Sequence, residues 1–447
     1  MAQADECIEV SLLGHRTPTW GTEAAGDVAG RGGRTDREIR KDVEDCPAQQ
    51  GRPAALRALA WSLHQQNFMK TLSLVSLFVG LALFVSAGVA SATVEEKSFW
   101  DRFHVSADGR LRYEYDGGRI GGADTRHRGR ARFRFGGTVD VTDEIRGGLR
   151  IRTGNSDNPN SPHQNFGSMF DSWEIALDRA FLTYEPEWAK GAWIQGGKFP
   201  NAFKTNPVYG ELVWDADVNP EGGQLGYGWS QNGFSVGGST GIWVLNLSGS
   251  ETATIFPVQG HAEFKFNDDL KAAVAFGYYG YYNMDHGGAE TASSFPQNSN
   301  ATYPAAFGPT AGEFISRFRV IDTFASVTYA GLPVSLTLVG EVIYNAGARN
   351  GRDAGWAVGV NALVPLCERK HRVFYQFQYI EQEALFSPMG QDDFQSLASN
   401  YRGHIVGVDW AITKGVKIRT WGLFQEQMLG GGDRLNARVR ADINVKF

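Results

Sequence analysis

The last fourteen residues of the chain, Arg434-Leu-Asn-Ala-Arg-Val-Arg-Ala-Asp-Ile-Asn-Val-Lys-Phe447, alternate strictly between apolar and polar side chains. Every second residue from Leu435 to Phe447 is apolar, and those between are Arg, Asn, Asp or Lys. Because successive side chains of a β-strand point to opposite faces, the segment predicts a strand with one apolar and one charged face. One face suits hydrocarbon and the other suits water.

The same alternation recurs from Phe99 to the end of the chain, in segments separated by clusters of Gly, Asn, Asp and Pro. No segment carries a convincing helical stripe. The pattern predicts sixteen strands, at 103–115, 128–141, 145–154, 174–185, 191–199, 222–231, 233–246, 257–267, 270–283, 319–330, 333–345, 353–364, 371–383, 401–412, 416–428 and 433–447.

The predicted connections alternate between short and long. Tight turns are expected at 142–144, 231–233, 267–269, 331–332 and 413–415, and long loops at 155–173, 200–221, 284–318 and 384–400. A soluble sandwich has no reason to sort its loops in this way, whereas outer-membrane barrels have short periplasmic turns and long extracellular loops. Tyrosines near segment ends, such as Tyr113, Tyr278 to Tyr282 and Tyr375, are suited to interfacial girdles.

These observations predict an all-β fold, a transmembrane antiparallel β-barrel of about 16 strands. In lipid an open strand edge would leave amide groups without partners, so the first and last strands are expected to pair. Sixteen strands enclose a lumen too wide for side chains to fill, so water is expected to enter it. A secreted soluble β-protein is the rival fold.

Composition excludes several classes of protein. The 447 residues carry a formal net charge of −6, which gives no basis for nucleic acid as a partner. Cys7, Cys46 and Cys367 show no spacing typical of a zinc or redox site, so no disulfide, metal or cofactor is predicted.

The N-terminal part predicts an export signal. Residues 69–92 combine a basic start at Lys70, an apolar centre and the ending Ala90-Ser91-Ala92, which is typical of a signal peptide cleaved after Ala92. A single membrane-anchoring helix is the alternative, but no cluster of Lys and Arg follows. Residues 1–68 are interpreted as an over-extended reading frame or a disordered leader, and 93–447 as the barrel.

An arginine wall is the strongest local feature. Alternating arginines place their guanidinium groups on one strand face, and this face is expected to line the lumen because charge at the bilayer midplane costs about 2–4 kcal/mol. The predicted pore-lining residues are Arg110, Arg112, Arg128, Arg130, Arg132, Arg134, Arg146, Arg150, Arg152, Arg434, Arg438 and Arg440. Two roles fit this pattern, and both stay open. Either these arginines select anions, or they only pair with inward-facing carboxylates.

The long loop 200–221 follows the fifth predicted strand and is the third external connection. It carries acidic residues, Glu211, Asp215, Asp217 and Glu221. If it folds into the lumen, as the third external loop of general porins does, these acids would face the arginine wall and create a transverse field. The alternative is an exposed loop on the rim. Asp215-x-Asp217-x-Asn219 begins like a calcium loop, but Pro220 replaces the required glycine.

Four segments resemble a bacterial family of putative porins: Arg130-Ala-Arg-Phe-Arg-Phe135, Arg179-Ala-Phe-Leu-Thr-Tyr-Glu-Pro186, Gly196-Gly-Lys-Phe-Pro-Asn201 and Glu211-Leu-Val-Trp-Asp-Ala-Asp-Val-Asn-Pro-Glu-Gly222. The resemblance covers most of 100–447 and implies an outer-membrane barrel with passive solute passage. It carries no defined substrate and no site residue.

We therefore expect a porin-type channel for small hydrophilic solutes in the outer membrane of a Gram-negative bacterium. The expected partners are outer-membrane lipid, these solutes, the barrel-assembly machinery with Phe447 as its signal, and, by analogy, a second and third copy in a homotrimer. A barrel enzyme or a surface-binding barrel protein is the alternative function. His163 lies near Ser161 and His286 near Asp285, yet no strained nucleophile turn appears, so no enzyme activity is predicted.

Overall fold

The structure, a computed structural model, describes residues 99–447 apart from 120–121, 157, 159, 168, 171, 247–251, 285–294, 296–297, 305, 307–310, 396 and 431–434. The predicted leader (1–68) and signal peptide (69–92) lie outside the described residues, as do Cys7, Cys46, His286 and Arg434. Within the part of the chain that is described, no helix is long and apolar enough to cross a membrane.

The described residues form seventeen β-strands. Their bounds are β1 Phe103–Gly117, β2 Arg126–Asp140, β3 Ile145–Thr153, β4 Gln164–Asn165, β5 Ile175–Tyr184, β6 Ala192–Lys198, β7 Glu221–Gln231, β8 Phe234–Asn246, β9 Ala253–Lys265, β10 Leu270–Tyr282, β11 Arg319–Tyr329, β12 Ser335–Asn345, β13 Ala354–Leu366, β14 Arg369–Ile380, β15 Tyr401–Thr413, β16 Val416–Gln427 and β17 Leu435–Lys446. Short 3₁₀ helices occupy Phe99–Arg102, Glu187–Ala189 and Ser387–Met389.

Sixteen of these strands form one closed antiparallel ring. Each pairs with its neighbours in sequence, and β1 pairs with both β2 and β17, from Asp108 opposite Lys446 to Gly117 opposite Ala437. The two-residue β4 lies outside the ring and pairs with β2 at Arg130 and Ala131. The predicted sixteen-stranded barrel is therefore confirmed.

The connections sort by length between the two ends of the barrel. The shortest turns hold two residues, and in two of them both residues have positive φ: 50° and 81° at Asn232 and Gly233, and 50° and 62° at Cys367 and Glu368. Positive φ at both positions matches the turn to the twist of the paired strands. On the opposite end the second, third, fifth and seventh loops (154–174, 199–220, 283–318 and 381–400) are long. Both ends of the barrel sequence lie at the short-turn end.

Alternation separates the two faces of the wall as the sequence predicted. In β17, Val439 and Ile443 are 45% and 46% exposed, whereas Arg440 and Asp442 are each 1% exposed. The apolar side chains therefore face outward and the charged ones inward.

The barrel interior also contains an apolar core, which the sequence did not predict. Three long loops supply buried side chains, Phe199, Leu212, Trp214, Phe314, Phe318, Phe386 and Met389. Trp214 lies edge-on to Trp243 of β8 and stacks on Tyr279 of β10, with ring centroids 4.9 and 6.0 Å apart. Tyr279 and Tyr281 thus face inward, not toward an outer girdle, and loops fill part of the interior.

Candidate functional site: a charged cavity inside the barrel

Glu114 of β1 is the centre of the arginine-rich part of the wall. Its side chain is fully buried, and its carboxylate pairs with Arg128, with Arg440 Nε at 2.6 Å and with Arg130 Nη1 at 3.6 Å. Arg440 also pairs with Asp393 of the seventh loop. These contacts join the strand wall to a loop by charge-assisted hydrogen bonds.

Two further carboxylates neutralise arginines on the same strands. Asp116 accepts from Arg126 at 2.7 Å and from Arg438 at 2.5 Å. Asp442 accepts two hydrogen bonds from Arg112, at 2.7 and 3.0 Å. The predicted wall residues Arg112 and Arg438 therefore lie close to carboxylates across the strands, as does Arg126, which was not in the predicted set.

The third loop joins the wall through Asp217. This carboxylate lies 2.9 Å from Arg134 Nη1 and 3.6 Å from Arg132 Nη1, and both arginines also pair with Asp108. On the far side of the ring, Asn206 of the same loop donates to Glu341 at 2.6 Å. Contacts with β2 and with β12 mean that the third loop crosses the barrel interior.

The remaining predicted wall arginines lie on β3. Arg150 and Arg152 both approach Asp178, at 2.5 and 3.4 Å, whereas Arg146 pairs with Asp140 at 2.9 Å near the short-turn end and is more exposed.

A cavity of about 690 Å³ lies between the arginine wall and the loops. Residues of its lining come from the short-turn end, such as Gly415 and Lys446, and from the long loops, such as Asp392 and His163. Ten cationic and six acidic side chains line it: Arg110, Arg112, Arg132, Arg134, Arg150, Arg179, Arg372, Lys417, Arg419 and Lys446, with Asp108, Glu211, Asp215, Asp217, Asp392 and Asp393. The lining is therefore polar, with more cationic than acidic side chains.

Glu211 is held mostly in the neutral form near pH 7, and two other loop acids of this cavity, Asp392 and Asp215, also have raised pKa values. Burial, with the nearby charges of Asp393 and Asp217, raises the pKa of Glu211 to about 8, although Arg110 opposes the shift. Burial and Asp393 likewise raise the pKa of Asp392 to about 6. Asp215 shows a raised pKa for the same reasons, burial first and then Glu211.

Asp393 behaves in the opposite way. Its pKa is lowered to about 2, because the effect of Arg440 and Arg112 exceeds that of its burial. The loop acids therefore divide into an ionised group that pairs with the wall and a group that is protonated more readily.

The other predicted residues lie apart from the cavity or outside the described part. Glu221 begins β7 and pairs with Lys198 at 2.5 Å. Phe447 is 84% exposed, and its backbone N–H donates to Ala107 at 2.9 Å.

Several cavity residues were missed by sequence reasoning. Arg372 and Arg419 lie on inward-facing positions of β14 and β16, and the alternation of those strands could have identified them. Trp421, also inward-facing, lies under the guanidinium groups of Arg440 and Arg112 at 4.9 and 5.6 Å from its ring centre. Asp392 carries no strand pattern, so no sequence signal placed it in the interior.

The serine and histidine considered for catalysis do not contact each other through a hydrogen bond among the described residues. Ser161 Oγ accepts from Arg130 Nη2 at 2.8 Å, and His163 Nε2 is buried without a hydrogen-bond partner. Burial and several arginines lower the pKa of His163 well below its usual value. In the described ranges, no group of three or more His, Cys, Asp and Glu side chains could hold a metal ion.

Comparison with known proteins agrees with this geometry. Residues 119–316 match the family model described as putative porin. The family resemblance predicted from the sequence is confirmed over this range, which holds all four motifs that indicated it, whereas the predicted extent to residue 447 lies outside the match. No curated protein sequence gives a significant match.

Solved structures of outer-membrane proteins are similar to this chain at low sequence identity. OprB of Pseudomonas putida is 14% identical with a TM-score of 0.54, over 78% of this chain and 95% of that chain. OmpF of Salmonella typhi is 13% identical with a TM-score of 0.47, over 79% of this chain and 100% of that chain. A porin of Rhodopseudomonas blastica is 14% identical with a TM-score of 0.42, over 77% of this chain and 100% of that chain. The likeness to OprB shows the fold, and the family match with this fold supports an outer-membrane channel.

Proposed function

We propose that this barrel is a porin-type channel that lets small hydrophilic solutes diffuse passively across the outer membrane of a Gram-negative bacterium. The observation that carries the proposal is the charged cavity of about 690 Å³ enclosed by an apolar outer wall. Water and ions favour such a lining, whereas hydrocarbon favours the outer face.

Selectivity in this proposal comes from the arginine wall and the acidic third loop. Many of the wall arginines are paired with carboxylates, which supports a partly structural role, and the positive balance of the cavity supports attraction of anions. The crossing of the third loop through the interior supports its role as the constriction.

Conductance measurements test the channel. Purified mature protein added to a planar bilayer is expected to produce stepwise conductance, and its gel mobility is expected to be faster before boiling than after. A protein that shows this mobility shift and yet gives no conductance steps at high concentration would refute the channel.

The export and assembly interpretations stay part of the proposal. N-terminal sequencing of the mature protein is expected to start after Ala92, and recovery of any peptide from 1–68 would contradict it. Native mass spectrometry tests the homotrimer. Removal of the exposed Phe447 tests its recognition by the barrel-assembly machinery, with loss of assembled barrel as the expected result.

A further inference from the structure

Two arginines in the cavity differ from the others in having no carboxylate partner. Arg110 of β1 and Arg179 of β5 have no Asp or Glu oxygen within 4.0 Å among the described residues, although Arg112 on the same face of β1 pairs with Asp442 at 2.7 Å. Both arginines line the cavity. Their positive charge is therefore not neutralised by a direct contact.

Each of these arginines is held by an asparagine. Arg110 Nε donates to Asn444 Oδ1 at 2.7 Å, and Arg179 Nε donates to Asn219 Oδ1 at 2.7 Å. The amide fixes the guanidinium group and leaves its charge in place. Neither side chain makes a further hydrogen bond to a described residue, so the terminal nitrogens stay available to a ligand.

On β17, a single residue type decides whether the arginine opposite is neutralised or keeps its charge. Asp442 and Asn444 are neighbours on the inward face, and they hold Arg112 and Arg110 respectively. An Asp at position 444 would reach the same guanidinium group with a negative charge.

Two loop acids of the cavity, Asp217 and Glu211, do not offset these two arginines near neutral pH. Asp217 is shared between Arg132 and Arg134, and burial keeps Glu211 mostly protonated, with a pKa of about 8. An anion that enters the cavity would therefore find two fixed cationic groups on its lining.

We propose that Arg110 and Arg179 are the binding groups for small oxyanions, such as carboxylates and phosphate, and that they give the channel a preference for anionic solutes. Guanidinium groups recognise such oxygens with paired, charge-assisted hydrogen bonds. This inference rests on the proposed channel function and names its solute class. The other wall arginines support the structure through their carboxylate partners.

The first test measures binding without requiring conductance. The detergent-solubilised full barrel is titrated with inorganic phosphate and, separately, with succinate by calorimetry. Wild-type protein is expected to bind at least one of them. Arg110→Gln with Arg179→Gln is expected to weaken that binding about tenfold, equivalent to about 1.4 kcal/mol.

A second double variant tests the charge while keeping Arg110. Asn444→Asp with Arg179→Gln would neutralise the Arg110 guanidinium group in place and is expected to weaken binding as the double arginine variant does. Asn219 is left unchanged because its amide also donates to Asp178 at 2.8 Å. Asn350→Asp in the exposed sixth loop (346–353) adds the same charge away from the cavity and is the matched control. It is expected to bind like wild type.

Channel recordings separate failure of the site from failure of the function. In a salt gradient the reversal potential of wild type is expected to have the sign of an anion-selective channel. In both double variants the reversal potential is expected to shift toward zero. Conductance with an unchanged reversal potential in both double variants would overturn the site but leave the channel. Arginine-dependent binding without any conductance would support the site and overturn the channel. Absence of phosphate and succinate binding by folded wild type would overturn the inference.

Discussion

Replacing Glu114 by Gln is expected to destabilise the barrel strongly. The substitution removes the negative charge at a fully buried position, where the carboxylate faces Arg128, Arg130 and Arg440. Gln keeps the size of the side chain, so the change isolates the charge.

The size of the destabilisation depends on which arginine is left without any carboxylate partner. Arg440 keeps Asp393, and Arg128 keeps Asp116 at 3.6 Å, but Arg130 is left with the Ser161 hydroxyl at 2.8 Å. Leaving one buried charge without its partner costs about 3–5 kcal/mol.

The matched control is Glu426→Gln. Glu426 pairs with Arg402 at 2.6 Å across neighbouring strands, and both side chains are exposed. An exposed pair contributes about 0–1 kcal/mol, so the control is expected to stay near the stability of wild type.

The assay is urea unfolding of the barrel in detergent, followed by tryptophan fluorescence and by gel mobility without boiling. Adding Arg130→Gln to Glu114→Gln is expected to recover part of the loss, because the unpaired charge is then absent. The reasoning is refuted if Glu114→Gln and Glu426→Gln change the free energy of unfolding equally, or if the double variant recovers nothing.

Three other perturbations address the cavity, the loop core and the outer wall. Because Glu211 has a pKa of about 8, raising the pH from 7 to 9 adds negative charge to the cavity, so anion preference measured by reversal potential is expected to fall. The same titration in Glu211→Gln is expected to be flatter, and an identical pH response would contradict this assignment. Trp214→Ala removes the packing of the third loop on Tyr279 and is expected to cost about 3–5 kcal/mol of stability and to raise conductance; unchanged conductance would show that this loop does not restrict the passage. Val439→Arg puts a charge on the outer face and is expected to cost about 2–4 kcal/mol near the bilayer midplane, measured by unfolding in lipid vesicles; a neutral effect would argue against contact with hydrocarbon.

The strands were predictable because local alternation decides which face of each strand is buried. The predicted strands 416–428 and 270–283 correspond to the observed strands Val416–Gln427 and Leu270–Tyr282. Asn232-Gly233 was recognisable as a tight turn because these residues accept positive φ. The ring of strands and the lengths of its loops were therefore predictable from the sequence alone.

The interior contacts were not predictable in the same way. Arg112 meets Asp442 across 330 positions of sequence, and Asp393 meets Arg440 only because the seventh loop folds inward. Tyr279 was misjudged because an aromatic residue near a strand end suits either a membrane interface or an apolar core. Which one it meets depends on where the third loop lies, and no local pattern encodes that.

The most direct test of the two-faced wall is a spin-label scan along β17. Single cysteines at residues 437 to 445, in a background with the native cysteines replaced by Ser, are labelled and reconstituted in lipid vesicles. Accessibility to oxygen, which concentrates in hydrocarbon, is expected to peak at 439, 441 and 443 and to fall at 440 and 442, which are buried in the interior. Accessibility to a water-soluble nickel complex is expected to be highest at 444, which lines the charged cavity. Two profiles that rise and fall together along the strand would contradict a barrel with lipid outside and water inside.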